Sequence, residues 1–598
     1  MKRRGKRRTT LATLLLTLLL SAGLWSFAAE EATAQGQWTT LPYLMPINPI
    51  HMALMNNGKV LIVAGSGYDA SNTRFEAAVW DPQTGTITRQ LVGWDMFCNS
   101  MVVLPDGRVF VNGGNLKYNP FLGEPRNSVF DPATGQFTDV ENMAHGRWYP
   151  TATTLGDGSV MTFSGLSEIG LTNTTVEIYR VGAGWSPEYA SGWVPPLYPR
   201  MHLLPNGNVV ASGPAPQTMI FDASTKTWSA VASTNYSGTR RYGSSVLLPL
   251  GPADGYTPRV MILGGGDPAT ATTEIIDLSA PTPQWRYGPP MSQPRIEMNA
   301  TLLPNGRVLV LGGSARDEDA TTASLNADLY DPETNTFSSA GTNTIPRLYH
   351  SNALLLPDGT VALLGSNPRQ GIYEPHIEIY SPAYLFNVDG SPATRPTVTG
   401  VPGAVTYGAT FQVQTPDAAA ISSVVLMRPG SPTHAFDQDQ RLVRASYTVG
   451  GGVLNVTAPP NGNIAPPGYY LLFIVNSAGV PSLASFVRVT ANFSLSAAPA
   501  SSTVLPGEST SYTATVAGTG ATGTVTFSVS GLPSGSTATF DPTSVNGSGS
   551  TIMNVTTGLT TPLGTYQLTI TADNGGIVDR ASVTLVVGPP VMPVPGLK

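Results

Sequence analysis

The chain contains a single cysteine, Cys98, and an internal repeat places it level with a tyrosine and a histidine. Counting back from the turn glycines of successive repeats, Cys98 stands nine residues before Gly107, Tyr149 nine before Gly158 and His350 nine before Gly359. Tyr349 immediately precedes His350. Equal offsets in a radial repeat mean equal height around one axis. A thiol, two phenols and an imidazole presented from three units toward one face form a metal-binding set more readily than a packing set. A second candidate imidazole, His434, sits far downstream in the polar stretch PTHAFDQDQR, where no core pattern demands it. Nitrogen donors combined with phenolate oxygen suit Cu(II) in tetragonal geometry better than zinc or calcium. The plainer alternative is that Cys98 is a buried free thiol acting as a small hydrophobe and that each histidine is structural.

The elements that must carry these residues follow from the repeat itself. MNNGKVLIVAGSG from Met55, LPDGRVFVNGG from Leu104, LGDGSVMTFSG from Leu155, LPNGNVVASG from Leu204, LLPNGRVLVLGG from Leu302 and LLPDGTVALLGSN from Leu355 share one phrase. A degenerate copy begins at Leu247, LLPLGPADGYTPRVMILGGG, which makes seven units at a spacing of about 50 residues, the kelch-like period. Each phrase reads as strand, Pro-Asp-Gly or Pro-Asn-Gly turn, strand. A second phrase, such as VWDPQTG from Val79 or VFDPATGQF from Val129, supplies an outer hairpin whose aspartate and proline shape the turn rather than bind calcium. The expectation is an all-β chain: a seven-bladed kelch-like β-propeller over residues 38–388, then two immunoglobulin-like β-sandwiches over 392–490 and 493–588. The second sandwich, rich in Ser, Thr and Gly, reads as a spacer or adhesion module, and 589–598 as a disordered tail.

Composition supports that architecture and excludes some partners. Charged residues make up only 12% of the chain, against 63 glycines and 52 prolines, which fits many short strands joined by turns. Net charge is −6, and the basic residues Lys2 to Arg8 crowd the extreme N-terminus, so the remainder is more acidic still. That argues against nucleic acid. The basic start, the apolar run from Leu11 to about Ala29 and the Ala32-Thr33-Ala34 site read as a signal peptide over 1–34, hence a secreted, extracellular protein. An uncleaved membrane or cell-surface anchor is the alternative. A secreted chain with one cysteine cannot close an internal disulfide, so Cys98 needs another explanation.

Four phrases carry a resemblance. WDMFCNSMVVLPDGRVFVNGGN, GRWYPTATTLGDGSV, RLYHSNALLLPDGTVALLGSNP and PTHAFDQDQR closely resemble the glyoxal oxidase branch of the galactose oxidase-like copper radical oxidases, in family order, within a match over about Trp38 to Thr490. The last sandwich lies outside it. The resemblance implies one copper ion and a self-derived cofactor, a thioether between Cys98 and the ring of Tyr149, which becomes a tyrosyl radical. It makes Tyr149, Tyr349, His350 and His434 the copper ligands, with His434 delivered by a hairpin of the first sandwich. It implies Tyr349 as general base and Cys98, Tyr149 and Tyr349 as the catalytic set. Around them, Trp148 and Phe97 are candidates to shield a radical, Trp94 is another adjoining aromatic, and Arg147 and Arg347 are candidates to orient substrate or to neutralise acidic surroundings. His51, His145, His202 and His376 do not match the ligand offset and are expected to be structural.

The expected function is oxidation of small aldehydes, through their hydrates, to carboxylic acids with reduction of O2 to H2O2. A primary-alcohol or galactose-type oxidase is the alternative within the class. A non-catalytic kelch-type glycan-binding or adhesion protein is the alternative outside it, in which Cys98 stays free. Expected partners are a small aldehyde or alcohol, O2, a peroxide-consuming peroxidase, and cell-surface or glycan contacts through the last sandwich.

Overall fold

The turn glycines set the fold. In the computed structural model Asp106 Oδ1 accepts the Arg108 N–H at 3.1 Å while Gly107 adopts φ 91°, a conformation open to glycine and strained for other residues. Asn206 and Asp358 accept the Asn208 and Thr360 N–H groups in the same way, at 3.1 and 2.9 Å. Each turn folds its flanking strands antiparallel, so Ser100–Val103 pairs with Val109–Asn112, which pairs with Asn127–Asp131 and that with Gln136–Val140. The structure describes residues 35–181, 184–490, 493–517, 524–574 and 577–588. The signal segment and tail expected at 1–34 and 589–598 lie outside the described residues. Among the described residues the elements are strands and four short 3-10 turns, and no helix is long and apolar enough to cross a membrane.

Seven such sheets of four or five strands follow one another from the strand His51–Leu54 onward. The first strand of each is buried along its whole length, as in Ser100–Val103, because neighbouring sheets cover both faces; the fourth alternates with solvent, as in Gln136–Val140. The last sheet takes its fourth strand from the opposite end of the ring. Gln37–Leu44 lies antiparallel to His376–Ser381, with Trp38 opposite Tyr380, and this pairing closes the circle. The expected turn role of the outer aspartates is observed: Asp81 Oδ1 accepts the N–H groups of Gln83 and Thr84 at 3.0 and 3.3 Å.

Residues from Ala404 to Thr490 form a sandwich of a five-stranded and a three-stranded sheet around Val413, Leu426, Val456, Leu472 and Val487. From it a two-stranded hairpin, Pro432–Thr433 and Phe436–Asp437, enters the ring. Its tip residues His434 and Ala435 have φ 49° and 65°, both in the left-handed region, as a two-residue turn of the I′ kind requires. Polar groups fix it in place. Thr433 Oγ1 donates to the Ile50 carbonyl at 3.0 Å, Ser431 Oγ to the Met101 carbonyl at 2.8 Å, and Asp439 pairs with Arg428 at 2.8 Å while accepting the Val103 N–H. Buried Asp437 accepts three backbone N–H groups, from Ser431, Asp439 and Gln440, and burial pushes its carboxyl up to about 6.

The last sandwich has a four-stranded and a five-stranded sheet around Tyr512, Leu568, Ile570 and Leu585. It touches the ring through Arg580, whose guanidinium pairs with Asp157 in the turn of the third sheet; Arg180 pairs with the same carboxylate at 3.4 Å. Despite burial, the two guanidinium groups bring Asp157 down to about 2. A carboxylate with a depressed folded-state pKa adds stability above its unfolded value near 4 and loses it as pH falls toward 2. Arg580→Ala is therefore expected to destabilise the chain by about 1–2 kcal/mol at pH 7, and thermal melts should show that difference shrinking below pH 4.

Candidate metal centre

One backbone feature positions the centre. The residue nine before each turn glycine has positive φ in six of the seven sheets: Cys98 at 58°, Tyr149 at 68°, Tyr198 at 45°, Tyr242 at 53°, Glu297 at 62° and His350 at 62°. In this left-handed conformation the chain turns sharply just before the innermost strand, so these side chains collect at one end of the ring. Backbone bonds run from sheet to sheet through the same residues. Tyr149 N–H donates to the Cys98 carbonyl and Tyr198 N–H to the Tyr149 carbonyl, both at 3.0 Å, and Glu297 N–H donates to the Tyr242 carbonyl at 2.8 Å. A non-glycine residue held in this region costs of order 1–3 kcal/mol, and the inter-sheet bonds hold it there.

The residues singled out from the sequence converge. The donor atoms of Cys98, His350 and His434, all buried, lie within 4.8 Å of one another. Cys98 Sγ is 3.6 Å from His434 Nε2 and in side-chain contact with Tyr149. The Tyr149 and Tyr349 hydroxyls are in hydrogen-bonding contact. The His350 and His434 rings stand nearly perpendicular with centroids 4.6 Å apart, and the Tyr149 ring is 4.8 Å from that of His434. His434 thus crosses from the first sandwich to meet residues of three sheets of the ring.

The electrostatics suit a cation. Burial lowers the His350 pKa to about 3 and that of His434 well below its ordinary value, so both imidazoles are neutral at working pH, as metal ligation requires. His350 Nδ1 bonds Asn367 Oδ1 at 2.6 Å, which makes that nitrogen the N–H donor and leaves Nε2 as a lone pair; Nε2 is buried and has no hydrogen-bond partner. His434 Nδ1 is held by Thr433 Oγ1 at 2.5 Å. Burial raises the pKa of Tyr149 and Tyr349, so their phenolates require a nearby positive charge. Two neutral nitrogens, two phenol oxygens and a thiol, buried together with one nitrogen unpartnered, fit a metal ion of borderline softness.

The neighbours divide into those that act on this centre and those that build the ring. Trp148 stacks on Tyr149, ring centroids 3.7 Å apart and 11° from parallel, and Phe121 stacks on Trp148 at 4.1 Å. Phe97 sits edge-on to His350 at 5.7 Å. Trp94 instead directs its Nε1 to Ser128 and Asp139 within the second sheet. Arg147 and Arg347, candidates for orienting substrate or for neutralising acidic surroundings, take the second role: both are fully buried inside their sheets, paired with Glu177 and Glu378 at 2.9 Å, as Arg240 pairs with Glu274 and Arg295 with Asp328. Neutralising a carboxylate is the role the structure gives them.

His202 bonds Ser245 Oγ at 2.8 Å, and the exposed His145 and His376 pair with Glu168 and Glu374. His51, buried on an innermost strand 5.6 Å from the His434 ring, has neither ring nitrogen partnered. The sequence reading missed Tyr198, Tyr242 and Glu297, although they share the nine-residue offset, and Arg241, which precedes Tyr242 as Tyr349 precedes His350. Tyr149, Tyr198, Tyr242, Arg200, Arg241 and His434 line a cavity of about 290 Å³ that opens beside the centre.

With this geometry in view, comparison with known proteins is decisive. Residues 68–384 match the family model described as glyoxal oxidase N-terminus. The chain belongs to the glyoxal oxidase family. Residues 395–489 match the galactose oxidase-like early set domain, so the sandwich that delivers His434 falls within a domain of known kind, while the last sandwich lies outside both matches. Aldehyde oxidase GLOX of Vitis pseudoreticulata is 32% identical over 463 residues, covering 69% of this chain and 85% of that one. Galactose oxidase of Gibberella zeae is 29% identical over 442 residues, covering 69% of this chain and 64% of that protein's length, just under two thirds. Among solved structures, a fungal alcohol oxidase of the AA5 family in complex with copper superposes with a TM-score of 0.68 at 27% identity, covering 76% of this chain and all of that one.

The structural role of Arg347 is testable. Arg347→Met leaves the Glu378 carboxylate buried without its partner and is expected to cost about 3–5 kcal/mol in thermal or chemical unfolding. A variant of unchanged stability would show that the pair is not structural.

Proposed function

We propose that this chain is a secreted copper radical oxidase that converts small aldehydes, through their hydrates, to carboxylic acids while reducing O2 to H2O2. One observation carries the reading: the buried, unpartnered Nε2 of His350 faces the same point as His434, two phenols and the lone thiol. A copper-bound alcohol oxidase of similar fold and relatives named aldehyde oxidase and galactose oxidase support it.

Tyr149, Tyr349, His350 and His434 would hold the copper, with Asn367 and Thr433 fixing the two imidazole orientations. Cys98, in contact with Tyr149, forms a thioether to its ring; the thiol and ring hydrogens leave with two electrons, which O2 accepts. Electron donation by sulfur makes this phenol easier to oxidise than an ordinary tyrosine, so it stores one oxidising equivalent. Copper, when bound, supplies the second one-electron acceptor that a two-electron oxidation needs. Tyr349 takes the proton of the substrate hydroxyl and the Tyr149 radical takes the hydrogen on carbon. Stacked Trp148, backed by Phe121, covers the Tyr149 ring against water. The sum is RCH(OH)2 + O2 giving RCOOH and H2O2.

A second reading, oxidation of primary alcohols to aldehydes, is favoured by the names of the galactose oxidase and the fungal alcohol oxidase. The cavity walls, Pro196, Leu197, Pro214 and three tyrosines around about 290 Å³, favour a small substrate over a sugar chain. Export rests on residues 1–34, and a peroxidase that consumes the product and glycan contacts of the last sandwich complete the proposal.

Cys98→Ser is expected to keep the wild-type melting temperature within a few degrees and to lose peroxide release from glyoxal by at least about a hundredfold. Near-normal release by this variant would overturn the radical-cofactor reading. Asn367→Leu frees the His350 ring and should weaken copper binding about 10–100-fold by competition with a chelator.

A further inference from the structure

The cavity beside the centre has one charged group free to meet a substrate away from the reacting atoms. Arg200 lies in its wall, but it is buried and each of its three nitrogens is held by a carbonyl: Nη2 by that of His434 at 3.0 Å, Nη1 by that of Tyr198 and Nε by that of Gly243, both at 3.1 Å. Arg241 is different. It is half-exposed at the rim, its Cζ 4.4 Å over the Tyr242 ring, and only Nη2 is engaged, with the Tyr242 hydroxyl at 2.8 Å and Asp317 Oδ2 at 3.0 Å. Nε and Nη1 keep their hydrogens free. Apart from the exposed Thr239 and from His434, the other walls are prolyl, leucyl and aromatic.

Acidic groups surround this guanidinium. Asp317 pairs with it, Glu318 reaches the hydroxyl of Tyr68, and burial together with the contact to Asp317 pushes the Glu297 carboxyl well above the usual carboxylate range. The rim thus offers donor hydrogens in a field that is neutral to negative.

Resting on the oxidase reading above, we infer that Arg241 and Asp317 together select the substrate. Arg241 takes the oxygen of a second, uncharged function next to the reacting carbon, and Asp317 turns away molecules whose second function is a carboxylate. The pair has a second consequence. The reaction turns a neutral hydrate into an acid that is fully ionised at neutral pH, and the same carboxylate that rejects anionic substrates speeds this product out. Arg241 is a specificity-determining residue here and Asp317 acts on the substrate through charge.

The test compares glyoxal, glyoxylate and acetaldehyde as substrates of the copper-loaded full chain, by peroxide release. Asp317→Asn should raise the ratio of kcat/KM for glyoxylate to that for glyoxal about tenfold, because it removes one like charge near a half-exposed site. Arg241→Met should lower kcat/KM for glyoxal about tenfold, mainly through KM, and leave acetaldehyde nearly unchanged. Equal changes on glyoxal and glyoxylate in Asp317→Asn, or an equal loss on acetaldehyde in Arg241→Met, would overturn the inference while leaving the oxidase reading intact. Acetate binding by calorimetry decides the charge argument without turnover. If wild type releases no peroxide from any substrate, the oxidase reading fails, and tenfold tighter acetate binding by Asp317→Asn still supports the pair, whereas equal binding overturns it.

Discussion

The structure depends on a backbone constraint: in six of seven sheets a non-glycine residue is held left-handed just before the innermost strand. The ring creates that constraint and also satisfies it. Each innermost strand is buried on both faces, so the chain must enter it abruptly, and the carbonyls of Cys98, Tyr149 and Tyr242 accept the N–H groups of Tyr149, Tyr198 and Glu297. A thiol, three tyrosines, a glutamic acid and an imidazole are thereby brought to one end of the molecule without any loop long enough to wander. The rigidity that chemistry needs comes from the closed ring, whose last sheet is completed by Gln37–Leu44.

A ring of strands alone leaves its axis to be filled, and here the first sandwich fills it with polar groups rather than apolar ones. The hairpin carrying His434 is pinned by Ser431, Thr433, Gln438, Asp439 and Gln440 to backbone and hydroxyl groups of several sheets. Buried polar groups are costly when unpaired and specific when paired, so the hairpin fits in one register. That register sets the height of His434 against His350 and Cys98. The cluster of Cys98, His350 and His434 is accordingly a property of two domains together.

Much of this was legible in the sequence because the signals were periodic. The Asp-Gly and Asn-Gly turns announced the strands, the nine-residue offset announced Cys98, Tyr149 and His350, and the polar context of PTHAFDQDQR announced His434. The same offset contained Tyr198, Tyr242 and Glu297, but without a recognised donor role these read as ordinary blade residues. Arg147 and Arg347 stayed open between two roles for a physical reason: an arginine two residues before a rim tyrosine turns inward to a carboxylate on the third strand of its own sheet, which a linear spacing does not reveal. Arg241, one residue before the rim position, instead lines the cavity. Position relative to the left-handed residue, and not residue type, separates the two cases.

The central claim is that Cys98 and Tyr149 become one cofactor. Peptide mass spectrometry before and after aerobic copper loading tests it most directly. The account predicts a joined peptide pair containing Cys98 and Tyr149 that has lost two hydrogens and no longer reacts with a thiol alkylating agent. A Cys98 that stays unmodified and alkylatable in unfolded, copper-loaded protein would contradict it.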